Sequence, residues 1–174
     1  MKKTLNTILA ISGLVLLSGC TNVKVPVSHQ EVVASKAYKH IYSTVDVPYT
    51  KAVQNFKKGL HMCAENVNTP SLVEVGTGAV RMPGNTVYHT FERVSSKKSV
   101  YAFRLFMGGV MIGECTFCQP KGGIYRISSS VEKLNAKQTK LAIHTGDMHM
   151  REARAIKKWV KGDFSSCHGF MGKE

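Results

Sequence analysis

The side chains with the greatest chemical potential in this chain are a few cysteines, a histidine–methionine cluster and a row of cations near the C-terminus. Cys115 and Cys118 form a CxxC pair in Glu-Cys-Thr-Phe-Cys-Gln-Pro. Such a pair can bridge, bind metal or cycle between thiol and disulfide. A thioredoxin-type redox pair belongs at the start of a helix, whereas Gln119-Pro120-Lys121-Gly122-Gly123 is turn material. A structural bridge is the better expectation. It requires the strand to end near Glu114, because positions three apart in a regular strand point to opposite faces. The cysteines at 63, 115, 118 and 167 contain only one CxxC, so a two-knuckle zinc site is poorly supported. His144, Met148 and His149 offer the imidazole and thioether that Cu(I) prefers. The plainer expectation is that Met150 belongs to a helix core and the histidines to polar connectors, so no metal or other cofactor is expected.

Conventional catalytic patterns are missing. The sequence holds no GxSxG elbow, no HExxH helix and no P-loop. Its eleven acids are scattered, which promotes no carboxylate pair. Ser165-Ser166-Cys167-His168-Gly169 has the composition of the L,D-transpeptidase motif in the wrong order, and that order is what sets the nucleophile against its base. The expectation is a protein that is not an enzyme.

These residues must be positioned by elements that the patterning makes visible. Ile41, Val45 and Val47 alternate with polar neighbours, as a strand requires. Pro48 can then open a helix over 49–65, where Val53, Phe56, Leu60 and Cys63 form one stripe and Gly59 costs about 1 kcal/mol relative to Ala. β-rich runs follow at 72–82, 86–94, 99–107, 110–117 and 124–131. Turn material separates them at Pro83-Gly84-Asn85, Ser95 to Lys98, Gly108-Gly109 and Pro120 to Gly123. Connections this short require antiparallel hairpins. Ser128 to Ser130 reads as a polar strand face, and residues 135–145 read as a polar connector.

A second helix over 148–161 carries Met150, Ala153, Ile156 and Val160 as its apolar stripe, with Trp159 beside it. Thr145 or Asp147 is the expected N-cap. Opposite lies a wholly basic stripe of Arg151, Arg154, Lys158 and Lys161, with Lys133, Lys137, Lys140 and Lys157 expected nearby. The fold class is α+β. We expect a two-layer sandwich, an antiparallel sheet of four to five strands with an N-terminal and a C-terminal helix packed on one face. With the helices side by side, Cys63 and Cys167 can meet across a loop of about 100 residues; otherwise Cys63 is a buried free thiol.

The N-terminus reads as an address. Lys2 and Lys3 precede an uncharged, mainly apolar run from Leu5 to Leu17, too short for the roughly 20 residues of a stable span. It ends Leu17-Ser18-Gly19-Cys20, which resembles the lipobox of bacterial lipoproteins. The resemblance implies cleavage before Cys20, a diacylglyceryl thioether on its sulfur and an acylated amino group. Several acyl chains at about 0.8 kcal/mol per buried CH₂ make a firm membrane anchor. In Gram-negative lipoproteins Asp at the next position commonly retains the chain at the inner membrane, so Thr21 implies the outer membrane with the domain facing the periplasm. The lipobox, the early VPYTKAVQNFKKG helix and the late KKWVKGDFSSC together resemble small proteobacterial envelope lipoproteins, a likeness that brings no catalytic residues. The expected organisation is a signal peptide at 1–19, a lipidated tether at 20–37 and a single domain at 38–174.

Composition agrees with that address. The net charge is +13, and cleavage removes two lysines and no acid, leaving +11. Such a balance often means nucleic acid. The export signal argues against it, since the periplasm offers little. Anionic envelope surfaces or an envelope protein are the expected partners of a non-enzymatic interaction or assembly module, unless the charge serves only solubility; the alternative function is a periplasmic lipoprotein that binds a small ligand or a copper or zinc ion. An even number of cysteines besides Cys20 in an oxidising compartment favours disulfides, with three possible connectivities.

Overall fold

The computed structural model describes residues 25–64, 67–75, 78–106, 123–165 and 167. Cys20, Cys115, Cys118 and the strand expected at 110–117 lie outside the described residues. In chain order the elements are α1 (His29–Ala34), β1 (Lys39–Val45), α2 (Tyr49–Cys63), β2 (Val67–Val75), β3 (Gly78–Ser95), β4 (Lys98–Phe106), β5 (Ile124–Lys133), β6 (Thr139–Thr145) and α3 (Met150–Lys161). A 3₁₀ turn at Asp147–His149 leads into α3. The strands form one antiparallel sheet in the order β1-β6-β5-β4-β3-β2.

The protein is therefore α+β, with both long helices on one face of an antiparallel sheet. Among the described residues that sheet has six strands, more than expected. The connector expected at 135–145 is in large part β6, which pairs with both β1 and β5. Its burial is why the sequence pattern does not mark it. Leu141 to Thr145 are all buried, because both faces of the strand are covered and no polar–apolar alternation is needed.

Pro83-Gly84-Asn85 is not a turn either. β3 runs through it, and the β2–β3 register shifts between Thr69 and Ser71, so the strand carries a bulge there. Proline tolerates a bulge because no ladder hydrogen bond is asked of it. The Ser95–Lys98 turn does join β3 to β4.

The buried stripe of α2 runs along Tyr49, Ala52, Phe56, Gly59 and Cys63, with Val53 and Leu60 on its flanks. Pro48 occupies the N-cap, and its carbonyl accepts from the Ala52 N–H. Gly59 has a structural reason. A Cβ there would lie 2.4 Å from ring atoms of Trp159, so glycine lets α2 and α3 cross closely. Trp159 is fully buried, and Phe56 packs between it and Tyr101, with ring centroids 6.4 and 5.2 Å away. α3 begins after His149 with no side-chain cap, rather than from Thr145 or Asp147. It ends on Gly162, whose φ of 90° is the left-handed cap conformation that glycine adopts without strain.

The segment expected as a tether also has structure. Ser28 accepts from the Glu31 N–H and Glu31 accepts from the Val27 N–H, a variant of the capping box that opens α1. Val32 is fully buried, and His29 reaches Ser128 on the sheet face away from α2 and α3. A small helix thus covers part of the second face. Ser128 and Ser130, on that face, are buried rather than forming a solvated stripe, and Ser129 is buried on the other face, between Tyr101 and Ile143.

Candidate functional site

Among the described elements, α3 presents a strongly charged outward face. Arg151, Arg154, Lys157, Lys158 and Lys161 are all exposed. The only acid in the helix, Glu152, is 7% exposed and turned inward. Lys158 interacts electrostatically with Asp163, beyond the helix end. Lys158 and Lys161 complement the negative C-terminal end of the helix dipole. Arg151 sits at the opposite end, where a cation is unfavourable by about 0.3–1 kcal/mol. Like charges three and four residues apart, such as Arg154 with Lys157 and Lys158, cost a further 0.2–0.5 kcal/mol or so each. The stripe therefore opposes the stability of its own helix.

All four cations expected on this stripe lie on it, and Lys157 extends it. Lys140 does not join them. It pairs across the sheet with Glu132 and Thr44, on the face that bears Ala142 and His144, away from α3. The in-strand alternation of β6 decides this, and a connector over 135–145 has none.

The histidine–methionine cluster is divided by the sheet. His144 is 3% exposed on the α1 side. His149 packs on the α3 side, with its ring centroid 5.1 Å from that of Phe103. Met148 is 86% exposed. These three residues do not converge. His144 instead meets two histidines that sequence reasoning missed. Its Nδ1 is 2.7 Å from His40 Nδ1, so one nitrogen donates and the other accepts. The His29 ring centroid lies 6.0 Å away. The β1–β6 register, His40 opposite His144, brings the first pair together. Among the described residues no group of three or more His, Cys, Asp or Glu side chains is arranged to hold a metal ion.

A second buried polar chain lies between sheet and α3. His89 stacks parallel to Tyr101, with Nδ1 2.8 Å from its hydroxyl. Burial pushes His89 down to about 4, so the ring is neutral at pH 7 and accepts from the Tyr101 O–H. Burial, with the Glu152 carboxylate as a second cause, holds the Tyr101 hydroxyl well above its usual value. Glu152 Oε1 lies 3.2 Å from His149 Nδ1, while Oε2 is buried with no hydrogen-bond partner among the described residues.

These histidines make stability depend on pH. Burial first, then the neighbouring His40 and His29, lowers His144 to about 4. Unfolding restores its ordinary value of about 6.5, so between pH 6.5 and 4 the unfolded chain binds more protons. The stability held by neutral His89 and His144 is complete above pH 6.5 and lost as pH falls towards 4. The slope is at most about 1.4 kcal/mol per pH unit for each group. Urea unfolding at a series of pH values is expected to show a midpoint that falls most steeply in this window. A midpoint flat from pH 6.5 to 4.5 would contradict the burial of both rings.

Cys63 and Cys167 form a disulfide with a Cα–Cα distance of 4.7 Å, closing a loop across a separation of 104 residues. It joins the end of α2 to the segment following α3, as the side-by-side helices require.

No family model matches the chain, and no curated protein sequence matches it. Among solved structures it is similar to a hypothetical protein from Helicobacter pylori at 8% identity, covering 83% of this chain and 96% of that one, with a TM-score of 0.38. It is also similar to the di-domain aromatase/cyclase BexL at 10% identity, covering 78% of this chain and 53% of that one, with a TM-score of 0.34. The Zhui aromatase/cyclase from Streptomyces sp. R1128 matches at 13% identity, 75% of this chain and 91% of that one, with a TM-score of 0.26. These likenesses lend no function to this chain.

Proposed function

We propose that the protein is a lipid-anchored envelope lipoprotein, held at the outer membrane through Cys20, that acts as a non-enzymatic interaction or assembly module. The single observation that carries the interaction role is the outward face of α3. It presents five cations and no acid at a cost to the helix itself, and such a cost is sustained when another surface uses the charge. An anionic envelope protein or envelope surface is the partner that fits it. Each cation adds about 1 kcal/mol when held near an anionic membrane.

The reading also fixes a distance. Cys20 and Val25 are five residues apart, a reach of at most about 18 Å. Because α1 is folded onto the sheet, the anchor holds the domain close to the bilayer instead of on an 18-residue tether. No described helix is long and apolar enough to cross a membrane, so among the described residues no helix duplicates the proposed anchor. The test is crosslinking in native envelopes at low and at high salt, followed by capture of the intact protein. A specific envelope partner crosslinked at low salt and lost when crosslinking is done at high salt is expected. Recovery indifferent to salt would contradict an electrostatic interface.

A further inference from the structure

α1 lies across β5 and β6 on the sheet face away from α2 and α3, and three imidazoles gather where it meets the strands. His29 belongs to α1, and its Nδ1 is hydrogen-bonded to the Ser128 hydroxyl on β5. His40 on β1 and His144 on β6 share the Nδ1–Nδ1 bond of 2.7 Å. The His144 ring centroid lies 6.0 Å from that of His29 and 5.8 Å from that of Tyr42. Little else holds α1 in place. Val32 is its one buried residue. Beside it the Tyr125 N–H donates to the Pro26 carbonyl at 3.2 Å, and the Tyr38 hydroxyl donates to the Tyr125 carbonyl at 2.6 Å. A helix of six residues is far below the roughly twelve that a helix needs to persist alone, so α1 exists only while these contacts hold.

The charges that act on this cluster share one sign. Lys98 on β4 acts on His29, and His40 and His29 both act on His144. Arg126 adds a cation beside Tyr38. The acids around α1 are engaged elsewhere. Glu31 accepts from the Val27 N–H. Glu132 on β5 stands opposite Lys140 and 4.0 Å from Lys98, and Asp147 pairs with Lys39 at 2.5 Å. A first proton is harmless on exposed His40, which then donates to neutral His144. A second proton, on His144, sets two N–H groups against each other and leaves a covered cation beside His29. We propose that α1 is an acid-released strap: protonation of the cluster formed by His29, His40 and His144 lifts α1 off β5 and β6 while the sheet and both long helices stay folded. Release lengthens the link between Cys20 and the domain from five residues to the nineteen that end at Lys39, a reach of at most about 70 Å. That gain in reach rests on the lipid anchor proposed above; the release itself does not.

The direction with pH follows from His144. Under α1 its pKa is about 4, and a freed ring returns to about 6.5. The strap is therefore fully held above pH 6.5 and weakens as pH falls towards 4. At pH 5.0 the difference multiplies the released population by about 30 relative to pH 7.5.

The test is amide hydrogen exchange, read by mass spectrometry, on the purified full-length protein in neutral-lipid nanodiscs. It is run at pH 7.5 and 5.0 with EDTA present, and each rate is referred to the intrinsic rate at that pH. Protection over residues 29–35 is expected to fall at least about tenfold at pH 5.0 and to stay below that of residues 150–160. The double variant His29→Gln, His144→Gln keeps polar side chains without titrating rings, and its fall over 29–35 is expected to be less than about threefold. His61→Gln, an exposed position on α2, should keep the wild-type fall. Two results with the unaltered chain overturn the proposal whether or not the variants fold. One is unchanged protection over 29–35 at pH 5.0. The other is protection there equal to that over 150–160, which would mean that α1 leaves only when the whole domain unfolds. A wild-type fall in the double variant would overturn it too. A chain without its lipid would show the same release, so failure of the anchor and failure of the strap are read separately.

Discussion

Replacing Cys167 with serine is expected to lower the stability of the protein by about 4–5 kcal/mol, the loop-closure value for a bridge spanning about 100 residues. For a chain of this size that corresponds to a fall in Tm of roughly 8–20 °C. Cys167 is the better partner to replace. Cys63 is fully buried in the core, and a serine there would add the cost of an unsatisfied hydroxyl to the loss of the bridge. The variant is best made in a Cys115→Ser, Cys118→Ser background, so that no other thiol in the domain can exchange with Cys63. Differential scanning calorimetry of the two proteins reads the effect. A Tm unchanged by Cys167→Ser would mean that the bridge does not constrain the unfolded chain.

The second large effect reverses an ordinary rule. In an exposed helix interior, Gly→Ala gains about 1 kcal/mol. At Gly59 the added methyl would stand 2.4 Å from ring atoms of Trp159, the largest of the fully buried side chains. That ring also packs on Phe56, so it cannot retreat without opening the core. Gly59→Ala is expected to lose about 1–3 kcal/mol net, the usual range for overpacking. Gly59→Val should lose more, since it adds two methyls and a restricted rotamer. Lys58→Ala, an exposed neighbour on the same helix, should change little. Equal urea midpoints for wild type and Gly59→Ala would contradict the close crossing of α2 and α3.

Which parts of this architecture can be read from residues alone depends on whether one face of an element meets water. Both long helices carry a polar stripe, and their extents and packing side follow from it. The cations of α3 are legible for the same reason, and so is the meeting of Cys63 with Cys167. Even Glu152 is legible in retrospect. It lies three and seven residues before Ala155 and Trp159, on the buried stripe.

Elements covered on both faces give no such signal. Thr139 to Thr145 carries lysine, threonine and histidine within a buried strand, so alternation disappears and a connector is the natural reading. The error propagates. Without β6, neither the His40–His144 pair nor the position of Lys140 on the far face can be placed. Pro83-Gly84 fails differently, because the same two residues suit a hairpin turn and a bulge. For α1 a signal was present. Ser28-His29-Gln30-Glu31 is a capping-box spacing, and it marks a short helix where a tether was expected.

The proposed interaction role depends on a partner using the basic face of α3. The most direct measurement is capture from crosslinked envelopes with Arg151, Arg154, Lys158 and Lys161 all replaced by glutamine, compared with the wild-type protein at low salt. All four side chains are exposed, and glutamine keeps helix propensity, so the domain should stay folded. Partner recovery is predicted to fall at least about tenfold while anchoring through Cys20 is unchanged, four cations at about 1 kcal/mol each being more than sufficient. Full recovery of the same partner by the substituted protein would mean that the basic face of α3 does not hold it.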